Sequence, residues 1–151
     1  MDKNQIIEAL QAIVTQLSQN ASQHQLQAVV FEDQGFSKLS EKYKGHASEE
    51  NDFVTRLAAR ILDLGGELKL EDKKAMPIFE NPIEFVKFDL NLSVEGLDAV
   101  KGLVSATLED HATYDLLKEY YKDEEEDMYW SETQLDLIDM IGRENWLVKQ
   151  I

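Results

Sequence analysis

Apolar residues recur at helical spacing along most of the chain, in four long stretches separated by breaks. In the first stretch, the steps between Ile6, Leu10, Ile13, Leu17 and Ala21 are four, three, four and four positions. That spacing places one face of an amphipathic helix against a core. The same pattern predicts helices over residues 4–33, 37–64, 83–110 and 112–141, and a short final helix over 144–151.

Glycine and proline mark the breaks between these helices. Gly35 separates the first two helices, and Gly65 ends the second, while Pro82 stands at the start of the third. Glycine commonly ends helices, and proline fits a first helical turn. Two connections are short and the middle one is long, so we expect two helical hairpins with the second and third helices parallel. The sequence predicts a single all-α domain, a four-helix bundle with one long crossover.

Composition narrows the classes of function. The net charge is −15, from 30 acidic and 15 basic residues, and such a surface repels nucleic acid phosphates and anionic lipid. Cysteine is absent, which excludes thiolate sites and disulfides. No signal peptide is apparent, and no apolar run approaches the roughly 18 residues that a membrane span needs. We therefore expect a cytoplasmic protein with no nucleic acid or membrane partner.

Several segments resemble bacterioferritins. Residues 115–125 and 130–138 are similar to their fourth helix, and 142–151 is similar to their short fifth helix. Residues 46–50 and 59–66 resemble the second helix and the turn beyond it. The resemblance implies a ferritin-like bundle, iron storage, and self-association into dimers or a hollow cage of about 24 subunits.

The resemblance also indicates where a di-iron centre would lie. Ferritin-like di-iron proteins use one Glu from each of two helices and a Glu-x-x-His pair from each of the other two. These positions align with Leu17, Glu50, Phe53, Ser93, Glu124 and Asp127. Leu17, Phe53 and Ser93 have lost the family ligand, and Asp127 replaces a histidine. No acidic residue occurs between Glu8 and Glu32 that a small shift in register could bring to the first position. The ferroxidase centre is therefore predicted to be degenerate.

Haem is the other cofactor that the resemblance raises. Bacterioferritins hold haem between two subunits with one methionine from each, and the matching position here is Asn51. An amide is not an axial ligand of the thioether or imidazole kind. We therefore do not expect haem, whereas iron as a stored or residually bound metal stays open.

Three carboxylates remain at the aligned positions, namely Glu50, Glu124 and Asp127. If they face one interior they repel each other and at least one pKa rises, unless a cation or a basic side chain intervenes. A single hard cation bound through oxygen is one reading. The reading that we favour is pairing with Lys or Arg, or rotation toward solvent.

The histidines are weaker candidates for metal ligands than these carboxylates. His24 lies near the expected site, either as a hydrogen-bonded core residue, which is the commoner case, or as a further metal ligand. We expect His46 to be a solvated residue near a helix start. Together with His111, these residues show no metal-ligand spacing.

Three functions remain in view. The first is a bacterioferritin-like iron-storage cage subunit with little or no ferroxidase activity, which could assemble with an active bacterioferritin subunit. The second is a divergent ferroxidase that uses His24, Glu50, Glu124 and Asp127, so the question of enzymatic activity stays open. The third is a structural or binding protein of the ferritin fold that has lost iron handling. A DNA-protecting cage is disfavoured because there is no basic tail.

Overall fold

The computed structural model describes residues 1–151, which form five helices and no strand. The helices are α1 (Lys3–Asp33), α2 (Ser37–Asp63), α3 (Pro82–Ala106), α4 (His111–Ile141) and α5 (Arg143–Val148). The predicted all-α bundle with one long crossover and a short fifth helix is confirmed.

Local capping sets the helix starts. Asp2 and Gln5 form a capping box before α1, and the Asn81 side chain accepts backbone N–H bonds at the start of α3, where Pro82 occupies the first turn. The Asp110 side chain accepts the backbone N–H of Thr113 and so begins α4. Each interaction satisfies a backbone group that has no partner within its helix.

Two predicted helix ends were wrong. The third helix ends at Ala106 and not at residue 110, because the Thr107 hydroxyl and N–H both bond to the carbonyls of Leu103 and Val104. The final helix ends at Val148 and not at residue 151. Beyond it, the carbonyl of Gln150 accepts the N–H of Lys38 and ties the end of the chain to α2.

Two apolar cores fill the bundle at different heights. The first, here called the Leu17 core, contains Ile6, Leu10, Val14, Leu17, Phe53, Leu57, Ile61, Val100, Leu117 and Tyr120. The second, here called the Trp146 core, contains Ala28, Phe31, Leu39, Tyr43, Ile83, Phe85, Val86 and Trp146. The C-terminal halves of α2 and α3 share the first core and their N-terminal halves share the second. These two helices therefore run parallel, as predicted.

Glutamine side chains on α1 hold the long crossover. Gln27 is fully buried, donates to the Phe79 carbonyl at 2.6 Å and accepts the Phe79 N–H at 2.9 Å. Gln11 makes the same pair of bonds with the Lys69 backbone at 3.0 and 3.1 Å. A neutral amide suits this task because it offers a donor and an acceptor without burying a charge. The crossover is thereby fixed along the bundle without secondary structure of its own.

None of the helices combines the length and the apolar character that crossing a bilayer demands.

Candidate metal centre

A layer of polar side chains lies between the two apolar cores. It contains His24 from α1, His46 and Glu50 from α2, and Asp89 from α3, each no more than 6% exposed. We call these four residues the polar cluster. Glu124 and Asp127 of α4 flank it, so that every long helix contributes a polar group to the same level of the bundle.

His24 is the centre of the polar cluster. Its Nδ1 contacts Glu50 Oε1, and its Nε2 lies 2.7 Å from Asp89 Oδ1. Burial by itself lowers the pKa of His24, but the charges of Asp89 and Glu50 outweigh it and leave that pKa well above the ordinary value. Burial raises the pKa of Glu50, and the charge of His24 opposes that rise. Without a metal, His24 is therefore an imidazolium held between two carboxylates.

His46 differs from His24 in having no hydrogen bond. It is 2% exposed, and neither of its ring nitrogens has a hydrogen-bonding partner. Its Nε2 lies 3.3 Å from Asp127 Oδ1, but out of line for a hydrogen bond. Burial, together with the charge of His24, lowers the pKa of His46 to about 3, so it is neutral at physiological pH. The expectation of a solvated His46 was wrong, because the residue lies on the buried face of α2.

The pKa values of the two α4 carboxyl groups are raised, whereas the pKa of His46 is lowered. Burial and the charge of Glu50 raise the pKa of Glu124 to about 7, although contact with the Ser93 side chain lowers it. Burial and the charge of Glu124 raise the pKa of Asp127 to about 8. Neither residue, nor Glu50, forms an ion pair with Lys or Arg. The Lys or Arg partners of the favoured reading are absent: histidines lie beside Glu50 and Asp127, and Ser93 contacts Glu124. The alternative in that reading was rotation toward solvent; Glu50 is buried, and Glu124 and Asp127 are half-buried.

A cavity of about 720 Å³ opens between α1 and α3 beside this layer. Its lining is mostly apolar and includes Leu17, while Tyr120 and Glu124 form its inner wall. Small residues in its lining, such as Ala99 and Gly102, leave this space unfilled. Glu124 is thus the carboxylate of the layer that can be approached from this side.

Comparison with known proteins places the chain in a family. A profile described as "Ferritin-like domain" matches residues 7–141. The chain belongs to the ferritin-like family. It is similar to "Bacterial ferritin" of Pseudomonas aeruginosa, with 34% identity over 97% of each chain. It is 32% identical to "Bacterial ferritin" of Neisseria meningitidis serogroup B over 85% of each chain. With "Bacterioferritin" of Brucella melitensis the identity is 28%, over 83% of this chain and 79% of the relative.

The di-iron positions that the family resemblance predicts lie in two different environments in this ferritin-like bundle. Leu17 and Phe53 are 1% and 6% exposed and belong to the Leu17 core, where the Phe53 ring packs edge-on against Tyr120 at 5.5 Å between centroids. Ser93 is buried near Glu124. Asn51, at the aligned haem position, lies on the exposed face of α2.

Three members of the polar cluster are displaced in one direction from the predicted di-iron positions, whereas Glu50 occupies one of them. His24 lies seven residues after Leu17 on α1, and His46 lies seven residues before Phe53 on the antiparallel α2. Asp89 lies four residues before Ser93 on α3, which runs parallel to α2. At about 1.5 Å per residue these steps correspond to one or two helical turns toward the Trp146 core. Relative to the predicted di-iron positions, His24, His46 and Asp89 therefore lie further along the bundle axis, toward the Trp146 core.

The sequence analysis did not predict two members of the polar cluster, Asp89 and His46, although the sequence contains a pattern that indicates both. Asp89 falls on the buried stripe of α3 between Phe85 and Ser93, four positions from each. His46 falls on the buried stripe of α2, three positions after Tyr43 and four before Glu50. A titratable residue on an otherwise buried stripe is the pattern that marks a functional or paired group.

Proposed function

We propose that this protein is a cage-forming iron-storage subunit that does not itself oxidise ferrous iron rapidly. Membership of the ferritin-like family supports the storage role. The observation that carries the second half of the proposal is the burial of Leu17 and Phe53, 1% and 6% exposed, in one apolar core.

The chemistry of a di-iron centre requires ligands where those two side chains lie. Two irons need bridging carboxylates and a terminal imidazole for each metal, with an open position for oxygen. Leu17 and Phe53 offer no donor atom, and Ser93 offers a neutral hydroxyl in place of a carboxylate. The residues at the aligned positions do not fit a di-iron group. We infer that the family centre is degenerate in this chain.

A group of carboxylates contributed by α2 and α4 supports the proposal of iron deposition. Carboxylate oxygens of Glu49, Asp123 and Asp127 lie within 4.8 Å of one another, and Glu126 is exposed nearby on α4. Burial and the charge of Glu49 raise the pKa of Asp123 to about 6, a sign of repulsion that a bound cation would relieve. Hard oxygen ligands of this kind suit iron cations at the start of mineral growth.

Self-association is supported by apolar side chains that the single subunit leaves in solvent. Leu26 and Val29 on α1 are 56% and 60% exposed, Leu62 on α2 is 55% exposed, and Leu70 of the crossover is fully exposed. Exposed apolar side chains that adjoin one another are typical of surfaces buried in assemblies, and Leu26 and Val29 lie one helical turn apart on α1. We propose that they are covered by further copies of this chain or by an active bacterioferritin subunit.

The test is aerobic loading of the purified assembly with ferrous iron, followed by size exclusion and an iron count per assembly. We expect slow oxidation without a partner, and a mineral core when an active bacterioferritin subunit co-assembles or pre-oxidises the iron. Rapid oxidation by this chain alone would overturn the degenerate-centre proposal. Failure to retain iron under every condition would favour a ferritin-fold protein that has lost iron handling.

A matched pair of variants tests the acidic group. Glu49→Gln with Asp123→Asn should reduce the iron retained per assembly without changing its size. Glu8→Gln with Asp98→Asn removes two exposed carboxylates from α1 and α3 and should leave retention unchanged. Equal losses in both pairs would assign the effect to net charge and not to this group.

A further inference from the structure

Three polar atoms in the buried layer have no hydrogen-bonding partner. They are both ring nitrogens of His46 and the hydroxyl oxygen of Tyr43, which is fully buried. Leaving a buried polar group unsatisfied costs about 1–3 kcal/mol, so each such group calls for a bound water, an ion or another role. His46 and Tyr43 are neighbours and both lack partners. Together they indicate that a small molecule or an ion binds between them.

The neighbouring side chains determine the charge of the ligand that this site favours. One nitrogen of His24, one nitrogen of His46 and one carboxylate oxygen of Asp89 lie within 4.8 Å of one another, and all three residues are buried. Glu50 contacts the same His24, and Asp127 lies beside His46. A site with this many carboxylates repels anions and favours a cation.

We propose that His24, His46 and Asp89 form a mononuclear site for a divalent transition metal, with Glu50 orienting His24. This site goes beyond the proposed storage role. Its three ligands lie outside the di-iron positions that the family resemblance predicts, whereas the orienting Glu50 is one of those positions. Two imidazoles and one carboxylate suit zinc, cobalt or ferrous iron, whereas magnesium and calcium prefer oxygen ligands alone.

The contacts of His24 match those of a metal-bound histidine. A ligating histidine usually donates its second ring N–H to a carboxylate, which fixes the ring and its tautomer. Here Glu50 accepts from Nδ1, so Nε2 faces Asp89. A metal would replace the proton that now joins Nε2 to Asp89. His46 has both ring nitrogens free of hydrogen-bonding partners, so either one is available to a metal.

The distances allow this exchange without a change of fold. Ligand atoms around a tetrahedral zinc ion lie roughly 3–3.5 Å apart, given metal bonds of about 2.0–2.3 Å. The present separations reach at most 4.8 Å, so small side-chain rotations bring three ligands to bonding distance. Three protein ligands leave a fourth position for water.

The test uses zinc and cobalt, which bind without oxidising, so its outcome is separate from that of the iron-loading experiment. Intact assembly is stripped of metal with a chelator and titrated with zinc by calorimetry and with cobalt by visible absorption. We expect one tight site per subunit and the ligand-field bands of low-coordinate cobalt. His46→Gln should abolish this site, and Glu50→Gln should weaken it about 10- to 100-fold, as expected for an orienting carboxylate.

His111→Gln is the matched control, because it removes an exposed histidine at the start of α4. It should leave the tight site and the cobalt bands unchanged. Thermal unfolding gives a second readout: zinc should raise the melting temperature of the native protein and of His111→Gln, but not that of His46→Gln. No tight site in the native protein, or a tight site that survives His46→Gln, would overturn the proposal and leave protons as the charges that balance the polar cluster.

Discussion

The Leu17 core and the polar cluster occupy neighbouring levels of the same four helices, yet their chemistry is opposite. In the Leu17 core, Leu17 and Phe53 pack among apolar residues and contribute stability by burial. One or two turns away, His24 and Asp89 are equally buried but joined by charge and hydrogen bonds. A helical bundle can therefore hold a polar layer and an apolar layer at neighbouring levels of its axis while the backbone fold is kept.

The largest expected effect comes from unbalancing the polar cluster. Asp89→Ala removes one of the two carboxylates that hold the His24 imidazolium, and breaking a buried pair in this way costs about 3–5 kcal/mol. Asp98→Ala, an exposed position on the same helix, should change stability by no more than about 0.5 kcal/mol. Urea unfolding of the metal-free protein at pH 6 measures both. Equal effects would show that the cluster is not held by charge.

A cavity in the Leu17 core should have an effect of similar or slightly smaller size. Leu17→Ala deletes a side chain that is 1% exposed, and such changes cost about 2–5 kcal/mol. The same substitution at Leu108, which is 56% exposed, should be nearly neutral. If Leu17→Ala were also neutral in urea unfolding, the side chain would not be part of a closed core.

The glutamine contacts of the crossover predict a smaller loss. Gln27→Ala leaves the N–H and carbonyl of Phe79 without their partner and should cost about 1–3 kcal/mol in chemical unfolding. Gln25→Ala, an exposed neighbour on α1, serves as the control. Hydrogen exchange at Phe79 should accelerate in the first variant only. Unchanged exchange there would contradict the role given to Gln27.

The smallest effect concerns pH. The folded-state pKa of Asp127 is raised to about 8 and that of Glu124 to about 7, so the folded metal-free protein holds more protons than the unfolded chain below those values. Stability therefore falls as pH rises through them. The raised pKa of His24 acts in the same sense above 6.5. The lowered pKa of His46 acts in the opposite sense, but only between about 3 and 6.5.

Between pH 6.5 and 8, His46 no longer affects the pH dependence. Asp127, Glu124 and His24 then all lower the stability as the pH rises. We expect the unfolding free energy of the metal-free protein to drop by about 1–2 kcal/mol per raised carboxyl over that window. Asp127→Asn should remove its share of the slope, whereas Asp136→Asn, at an exposed position of α4, should not. A rise in stability over this window would contradict the assigned protonation of the layer.

Sequence periodicity was enough to predict the helices and the parallel course of α2 and α3, because each apolar stripe is long and the breaks carry Gly or Pro. The end of α3 was missed because Thr107 stops the helix with local hydrogen bonds that leave no periodic trace. His46 and Asp89 were missed for another reason. His46 was interpreted as solvated because it is polar, and Asp89 was not considered as a site residue, whereas their positions on buried stripes of α2 and α3 place both inside the bundle.

The proposal that this chain does not oxidise ferrous iron rapidly has one direct test. The decisive measurement is oxygen consumption by the purified assembly after addition of about two ferrous ions per subunit, the amount that a di-iron centre would take up. We predict a rate close to that of ferrous iron in buffer alone. Rapid consumption in proportion to subunit concentration would contradict the account, because it would require a working oxidation centre despite Leu17 and Phe53.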